Sequence, residues 1–411
     1  MSRPGAETRR VAVTGLGLVC SLGRDAREVW GNALEGKGGI ARLDLFDPAG
    51  CLSDLAGQVR RLPEVDGWSR AERRRASRTD RLCVAAALEA VRQAGLEGSE
   101  PLGRFGVCLG TSAAGMLESE AYCREVVERS PDAARPSRIL RLPSSAPADA
   151  VARRLRAAGP RLSNMTACAS SALSIAQAAD LIRAGEAPGM IAGGGDALCR
   201  MTYAGFNALR LVDAQPARPF DASRQGLSLG EGAGILVLES WEEAERRGAP
   251  PLAELLDYGA SCDAAHMTAP HPEGRGAAAA MAEALQRSGV PPAAIGHINA
   301  HGTGTSLNDL TEAKAILAVF GEERAARLPL TANKSLFGHL LGGSGGAEAA
   351  ILILSLKHQV FPPTLGWKAP DRDLRLDVVA PAARRAAFDL GLSNSFGFGG
   401  ANCSLLFKKA S

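Results

Sequence analysis

The chain has 411 residues, 46% of them hydrophobic and only 4% aromatic, with a formal net charge of +3. That length exceeds one simple core and implies two domains or one duplicated unit. The scarce aromatics and near-neutral charge argue against a stacking or polyanion-binding nucleic-acid surface, and no apolar run is long enough to span a bilayer.

The nine cysteines are scattered without a CxxC pair, a pattern of the reducing cytosol rather than of a disulfide framework or a zinc site. Near the start, Arg9-Arg10 and the apolar stretch 11–22 have the outline of a short signal peptide. No small-residue cleavage site follows and polar sequence resumes at Arg24, so residues 11–19 read as a buried first strand. Within it Gly15-Leu16-Gly17 lacks the third glycine of a dinucleotide loop, Cys20 standing in its place. Amphipathic helices follow at 25–34 and 80–94, then a strand at 105–110, a helix at 173–184, and strands at 189–194 and 235–238. The second half reads as strands at 295–300, 328–332 and 403–407 with helices at 277–287, 310–319 and 347–356. Strands alternating with helices indicate α/β layers. Surface loops are expected at 215–219, which holds two prolines, and in the Pro/Ser/Arg-rich stretch 130–147. A weak internal repeat places 165–181 against 333–354 and 230–239 against 397–407, giving two similarly built halves, 1–250 and 251–411.

Four segments carry residues capable of chemistry. Thr166-Ala167-Cys168-Ala169-Ser170-Ser171 precedes an apolar helix. A free cysteine ordinarily packs a core, but small neighbours leave this one accessible. A helix N-terminus favours the anion and lowers a thiol pKa below its usual ~8.5. Asn299-Ala300-His301-Gly302-Thr303-Gly304-Thr305 places a histidine at a strand end, where active-site groups of α/β folds collect. Asn333-Lys334-Ser335 stands five residues before a second loop histidine, His339, followed by Gly342, Gly343, Gly345 and Gly346. Ser395-Phe396-Gly397-Phe398-Gly399-Gly400-Ala401-Asn402 is by itself a hairpin turn. No Walker motif and no metal-spaced histidine pair is present.

Together, an ACxS loop, HGTGT, NKS…GH and a terminal NSFGFGGAN resemble the elongating β-ketoacyl-(acyl carrier protein) synthases. The resemblance covers nearly the whole chain and includes Ala217-Arg218-Pro219-Phe220-Asp221 and Gly230-Glu231-Gly232-Ala233-Gly234. It implies a thiolase-like fold of two duplicated halves in five α-β-α-β-α layers, an obligate dimer, and decarboxylative condensation of an acyl thioester with malonyl-carrier protein. Thiolases use a second cysteine, priming synthases use Cys-His-Asn, and chain-length-factor subunits usually lack the cysteine. Cys168, His301 and His339 therefore imply an active elongating enzyme, in fatty-acid elongation or as the ketosynthase of a type II polyketide or polyene system.

By the same resemblance Cys168 is the nucleophile, and the backbone N–H groups of Cys168 and Phe398 form the oxyanion hole. His301 and His339 donate to the enolate, and Lys334, Glu312 and Asp309 support them. Thr303 and Thr305 contact pantetheine, and no metal or bound cofactor is required, the acyl chain travelling on the carrier's phosphopantetheine arm. Arg74 and Arg75, within a run of arginines from 70 to 81, and Arg218 are the expected contacts for an acidic carrier protein. Phe398 borders the acyl pocket. Ala113, in Gly110-Thr111-Ser112-Ala113-Ala114-Gly115, falls where the family often carries a larger aliphatic residue, so it either opens a deeper acyl tunnel or only packs its turn. The partner is acyl carrier protein, with a homodimer or a heterodimer with a chain-length-factor-like subunit. A nucleic-acid or membrane partner is not expected, and the location is cytoplasmic.

Overall fold

The computed structural model describes residues 9–371 and 374–410. Eleven strands are numbered here in chain order: β1 Val11–Cys20, β2 Gly106–Gly110, β3 Arg161–Asn164, β4 Gly189–Asp196, β5 Gly232–Ser240, β6 Ala253–Cys262, β7 His297–Asn299, β8 Pro329–Thr331, β9 Asp377–Val378, β10 Leu390–Phe396 and β11 Ala401–Lys409. They lie in the order β9-β8-β7-β10-β11-β6-β1-β5-β4-β2-β3. The duplication is written in the pairing. From β3 inward, the strands of the first half meet in the sense parallel, parallel, antiparallel, antiparallel. From β8 inward the second half repeats it. The halves join where Val11–Val13 pair with Ala253–Leu255.

Six helices complete five layers: α1 Arg78–Gln93, α2 Ala146–Leu155, α3 Ser170–Arg183, α4 Arg275–Ser288, α5 Ser306–Phe320 and α6 Ser344–His358. Helix α1 covers β1 and β5 on one outer face, while α4 covers β6 and β11 on the other. Between the halves lie α3 and α6, and every residue of α6 from Ser344 to Leu356 is buried. A helix apolar all round needs protein on every side, which is why both halves of the sheet close over it. Gly15 and Gly17 now have a use: a Cβ at either would stand about 2 Å from the carbonyls of Ala90 and Ala86 on α1. Their absent side chains let helix and strand approach.

Helix starts follow local chemistry. Asp25 accepts from the Glu28 N–H ahead of the helix Ala26–Leu34, and Ser77 forms a capping box with Asp80 at the start of α1. Among others, β3, β6, β10, α2 and the helices Met116–Glu128 and Arg200–Ala208 were absent from the sequence reading. The expected loop at 130–147 is instead mostly short 3₁₀ turns leading into α2. No helix among the described residues is long and apolar enough to cross a membrane.

Candidate active site

Three loops at the C-terminal ends of strands converge on one cavity of about 290 Å³. Cys168 lies in a 3₁₀ turn, Ala167–Ala169, between β3 and α3. His301 follows β7, and His339 follows the short helix Lys334–Phe337. One ring nitrogen of each histidine and the Cys168 sulfur lie within 4.8 Å of one another. The two imidazoles stand edge to face, centroids 5.5 Å apart. All three residues are buried yet line the cavity.

The hydrogen bonds set the tautomers. The His339 Nδ1 accepts the N–H of Leu341 at 3.0 Å and faces the Ser344 hydroxyl at the same distance. The His301 Nδ1 faces the Lys334 ammonium at 3.1 Å. With both Nδ1 atoms accepting, each ring carries its proton on Nε2 and presents a neutral N–H donor to the cavity. Burial, reinforced by the Lys334 charge, holds both imidazoles well below their ordinary range. A buried ammonium this close to His301 also opposes a second cation at the cluster.

Lys334 is 1% exposed. Its ammonium donates to the His301 carbonyl at 2.6 Å and to Glu348 at 2.5 Å. Glu348, absent from the sequence reading, sits on α6, and burial pushes its carboxyl up to about 7. Its signal was a lone acid in an otherwise apolar helix. Glu312 does not meet Lys334: its two oxygens accept the N–H groups of His301 and Gly302, each at 2.8 Å. Asp309 accepts the N–H of Phe220 at 2.7 Å and that of Gly304 at 3.2 Å, joining the HGTGT loop to the ARPFD loop. Thr303 and Thr305 share a 2.8 Å hydrogen bond on the cavity wall.

The thiol departs from expectation. Cys168 is the middle residue of the 3₁₀ turn that runs into α3, one residue before the N-cap Ala169, and burial pushes the thiol up to about 11. The Lys334 charge and the N–H of Phe398 act in the opposite sense. That N–H belongs to the turn linking β10 to β11, so the hairpin reading and the site reading of NSFGFGGAN describe the same residues. The Phe398 ring stacks on Phe206, which also lines the cavity.

Two expected placements differ. Ala113 does not line the cavity; it is buried in an adjoining apolar cluster with Leu198, Tyr203 and Leu341. Arg218 is held by Asp213 at 2.6 Å and by the Ser223 carbonyl, and so braces its own loop. Arg78, within the arginine run, is likewise committed to the buried Glu231. Arg74 and Arg75 lie on the exposed helix Arg70–Arg75. The cation at the cavity itself is Arg210, exposed and unnoticed in the sequence, in a left-handed backbone conformation with φ 55°.

Residues 8–244 match the β-ketoacyl synthase N-terminal domain and residues 252–368 the β-ketoacyl synthase C-terminal domain. The chain is 38% identical to a 3-oxoacyl-[acyl-carrier-protein] synthase 2 of Synechocystis sp., covering 98% of this chain and 99% of the relative. The same identity and coverage hold for a protein of that name in Staphylococcus aureus. Among solved structures it resembles the ishigamide ketosynthase/chain length factor, with a TM-score of 0.92 and 34% identity over 98% of this chain and 100% of that one. It also resembles a ketosynthase in complex with its chain length factor from Xenorhabdus doucetiae, with a TM-score of 0.87 and 31% identity over the whole of both chains.

Proposed function

The chain belongs to the β-ketoacyl synthase family, an acyltransferase of the thiolase fold, and from that premise we propose how its residues divide the reaction. Cys168 attacks the acyl thioester, and the N–H groups of Cys168 and Phe398 receive the developing oxyanion. Its collapse breaks the bond to the carrier's pantetheine sulfur, which leaves as the thiol with the proton Cys168 gave up. Malonyl-carrier protein then loses carbon dioxide. The electron pair left behind becomes an enolate, whose oxygen takes hydrogen bonds from the Nε2–H groups of His301 and His339. Two neutral donors in a dry site are each worth roughly 10²–10³ in rate. The enolate carbon attacks acyl-Cys168, releasing the thiolate and the β-ketoacyl product. The observation that carries this reading is the Cys–His–His cluster itself, two Nε2–H donors beside one sulfur. The Lys334 charge and the Phe398 N–H offset only part of what burial does to the thiol, which stays raised to about 11, so Cys168 sheds its proton as it attacks. Thr303 and Thr305 line the route for the pantetheine arm, and the exposed Arg74 and Arg75, with Arg210 at the cavity, receive the acidic carrier.

The pathway is fatty-acid elongation on the evidence of the 38% identical relatives. A second reading, a ketosynthase paired with a chain-length-factor-like subunit, draws on the likeness to two complexes of that kind. Either reading requires a second subunit. The free edge of β3, and Val127, Leu140 and Met165 at 85%, 70% and 63% exposure, are the surface that suits one. Nine free thiols suit a cytoplasmic location. The test is direct: acyl-carrier protein should add one acyl mass to the peptide carrying Cys168, and Cys168→Ala should abolish both the label and condensation. A condensing Cys168→Ala enzyme would end this reading.

A further inference from the structure

One buried carboxylate outside the Cys–His–His set reaches both halves of the site. Asp196 ends β4 and is 0% exposed. Its Oδ1 accepts the Thr111 hydroxyl at 2.5 Å and the N–H groups of Ala113 and Ala114 at 2.8 and 3.1 Å. Its Oδ2 accepts the N–H of Ser112 at 2.7 Å and that of Gly342 at 2.8 Å. Five donors aimed at one carboxylate exceed what anchoring a single turn requires.

Each tethered segment leads to a reacting group. The Ser112 hydroxyl donates to the Ala167 carbonyl at 3.0 Å, immediately before Cys168. Gly342 follows Leu341, whose N–H is the donor that holds the His339 Nδ1. The three turns so joined each contain a non-glycine residue in the left-handed region: Ala114 at φ 45°, Ala167 at 48° and Leu341 at 51°. Such residues persist only where their surroundings over-determine them. The fit is close as well, since a Cβ on Gly342 would stand 2.8 Å from the Asp196 Oδ2. The turns at 167–169 and 341–343 occupy matching places in the two halves, each leading into a central helix. Asp196 is therefore the point through which the first half's nucleophile and the second half's histidine are held in register.

We propose that Asp196 is a positioning residue that aligns the Cys168 turn with the His339 turn. Its carboxylate keeps the Leu341 N–H on the His339 Nδ1, and so keeps the proton on Nε2 where the enolate forms. This rests on the roles given above to Cys168 and His339.

The test is Asp196→Asn. The amide is the same size, but whichever oxygen it replaces, an NH₂ then faces at least two donors. In the intact enzyme, malonyl-carrier decarboxylation and acylation of Cys168 should each fall roughly 10–100-fold, the scale of a misplacement near 1 Å. The KM for the carrier should stay constant and the circular dichroism should stay native. Because the Asp196 charge disfavours the thiolate, the pH midpoint for iodoacetamide alkylation of Cys168 should also fall. Wild-type rates in a folded Asp196→Asn enzyme would overturn the proposal. If that variant does not fold, Ser112→Ala decides: it cuts only the link to Ala167, so acylation should drop several-fold with decarboxylation kept. Unchanged acylation would overturn the proposal. Cys168→Ala run alongside separates the failures, since an active Cys168→Ala enzyme refutes the underlying reading, whereas an inactive one beside a fully active Asp196→Asn enzyme refutes only the alignment.

Discussion

Replacing Lys334 by methionine separates what its ammonium does for stability from what it does for chemistry. Both members of the Lys334–Glu348 pair are almost fully buried. The second oxygen of Glu348 already lacks a partner. Removing the lysine leaves that carboxyl without its counter-charge, so it must take up a proton or stay charged and unpaired, and breaking a buried pair from one side costs up to about 3–5 kcal/mol. The same change takes the donor from the His301 Nδ1. The imidazole proton can then move from Nε2 to Nδ1, and one of the two enolate donors is lost. That loss should slow malonyl decarboxylation by roughly 10²–10³, or about 2.7–4 kcal/mol. Acylation should slow as well, because the Lys334 charge favours the Cys168 thiolate, but raising the pH should restore it. The double variant Lys334→Met/Glu348→Gln removes the stranded charge and should recover most of the stability. Urea midpoints, carbon dioxide release and the acyl mass on Cys168 read the three quantities independently. If the double variant regained decarboxylation to within about threefold of wild type, the pair would matter for folding alone and the tautomer argument would fail.

Reversing charge at the exposed Arg74 and Arg75 should raise the carrier KM and flatten its salt dependence, since the Debye length shortens to about 3 Å at 1 M. A KM that ignores both charge and salt would move docking elsewhere. Ala113→Phe should overpack its apolar cluster and cost about 1–3 kcal/mol without changing acyl preference, whereas Phe206→Ala should enlarge the cavity and favour longer chains by about fourfold per added methylene. Acylation of Cys168 across a chain-length series checks both, and selective loss of long chains in Ala113→Phe would restore Ala113 to the tunnel. Burial lifts the Glu89 carboxyl from 4.5 to about 7. The folded state therefore keeps a proton that the unfolded chain releases near 4.5, and this contribution to stability is complete below 4.5 and lost as pH rises to 7. Glu89→Gln should make the urea midpoint fall less steeply across that window; an unaltered slope would show that Glu89 titrates normally.

The reacting groups were legible because each rests on short-range pattern. A cysteine among small residues before a helix, and histidines in glycine-rich turns after strands, are local arrangements whose geometry the neighbouring residues dictate. The hairpin at 395–402 was legible for the same reason. The strand β6 was not: Ala253 to Cys262 holds no β-branched residue, and its place in the sheet comes from β11 and β1 on either side. Tertiary pairing there overrides weak local preference.

By itself the sequence determined the cysteine, the two histidines and the repeated strand–turn–helix order that places them. Only the tertiary structure decided their electrostatics. A helix start was expected to lower the thiol, yet enclosure by both halves raises it, because desolvation depends on what the rest of the chain packs around the sulfur. It likewise decided which charges are paired. Glu348 lies 14 residues from Lys334 in sequence, yet α6 carries it through the centre of the molecule to meet the ammonium. The Asp196 carboxylate, 146 residues from Gly342, draws the turns of both halves together. Arg218 and Arg78 look like surface cations in the sequence and are committed to Asp213 and Glu231 in the fold. Charge is a property of the residue, but whether that charge is free to meet a partner depends on contacts between segments far apart in the chain.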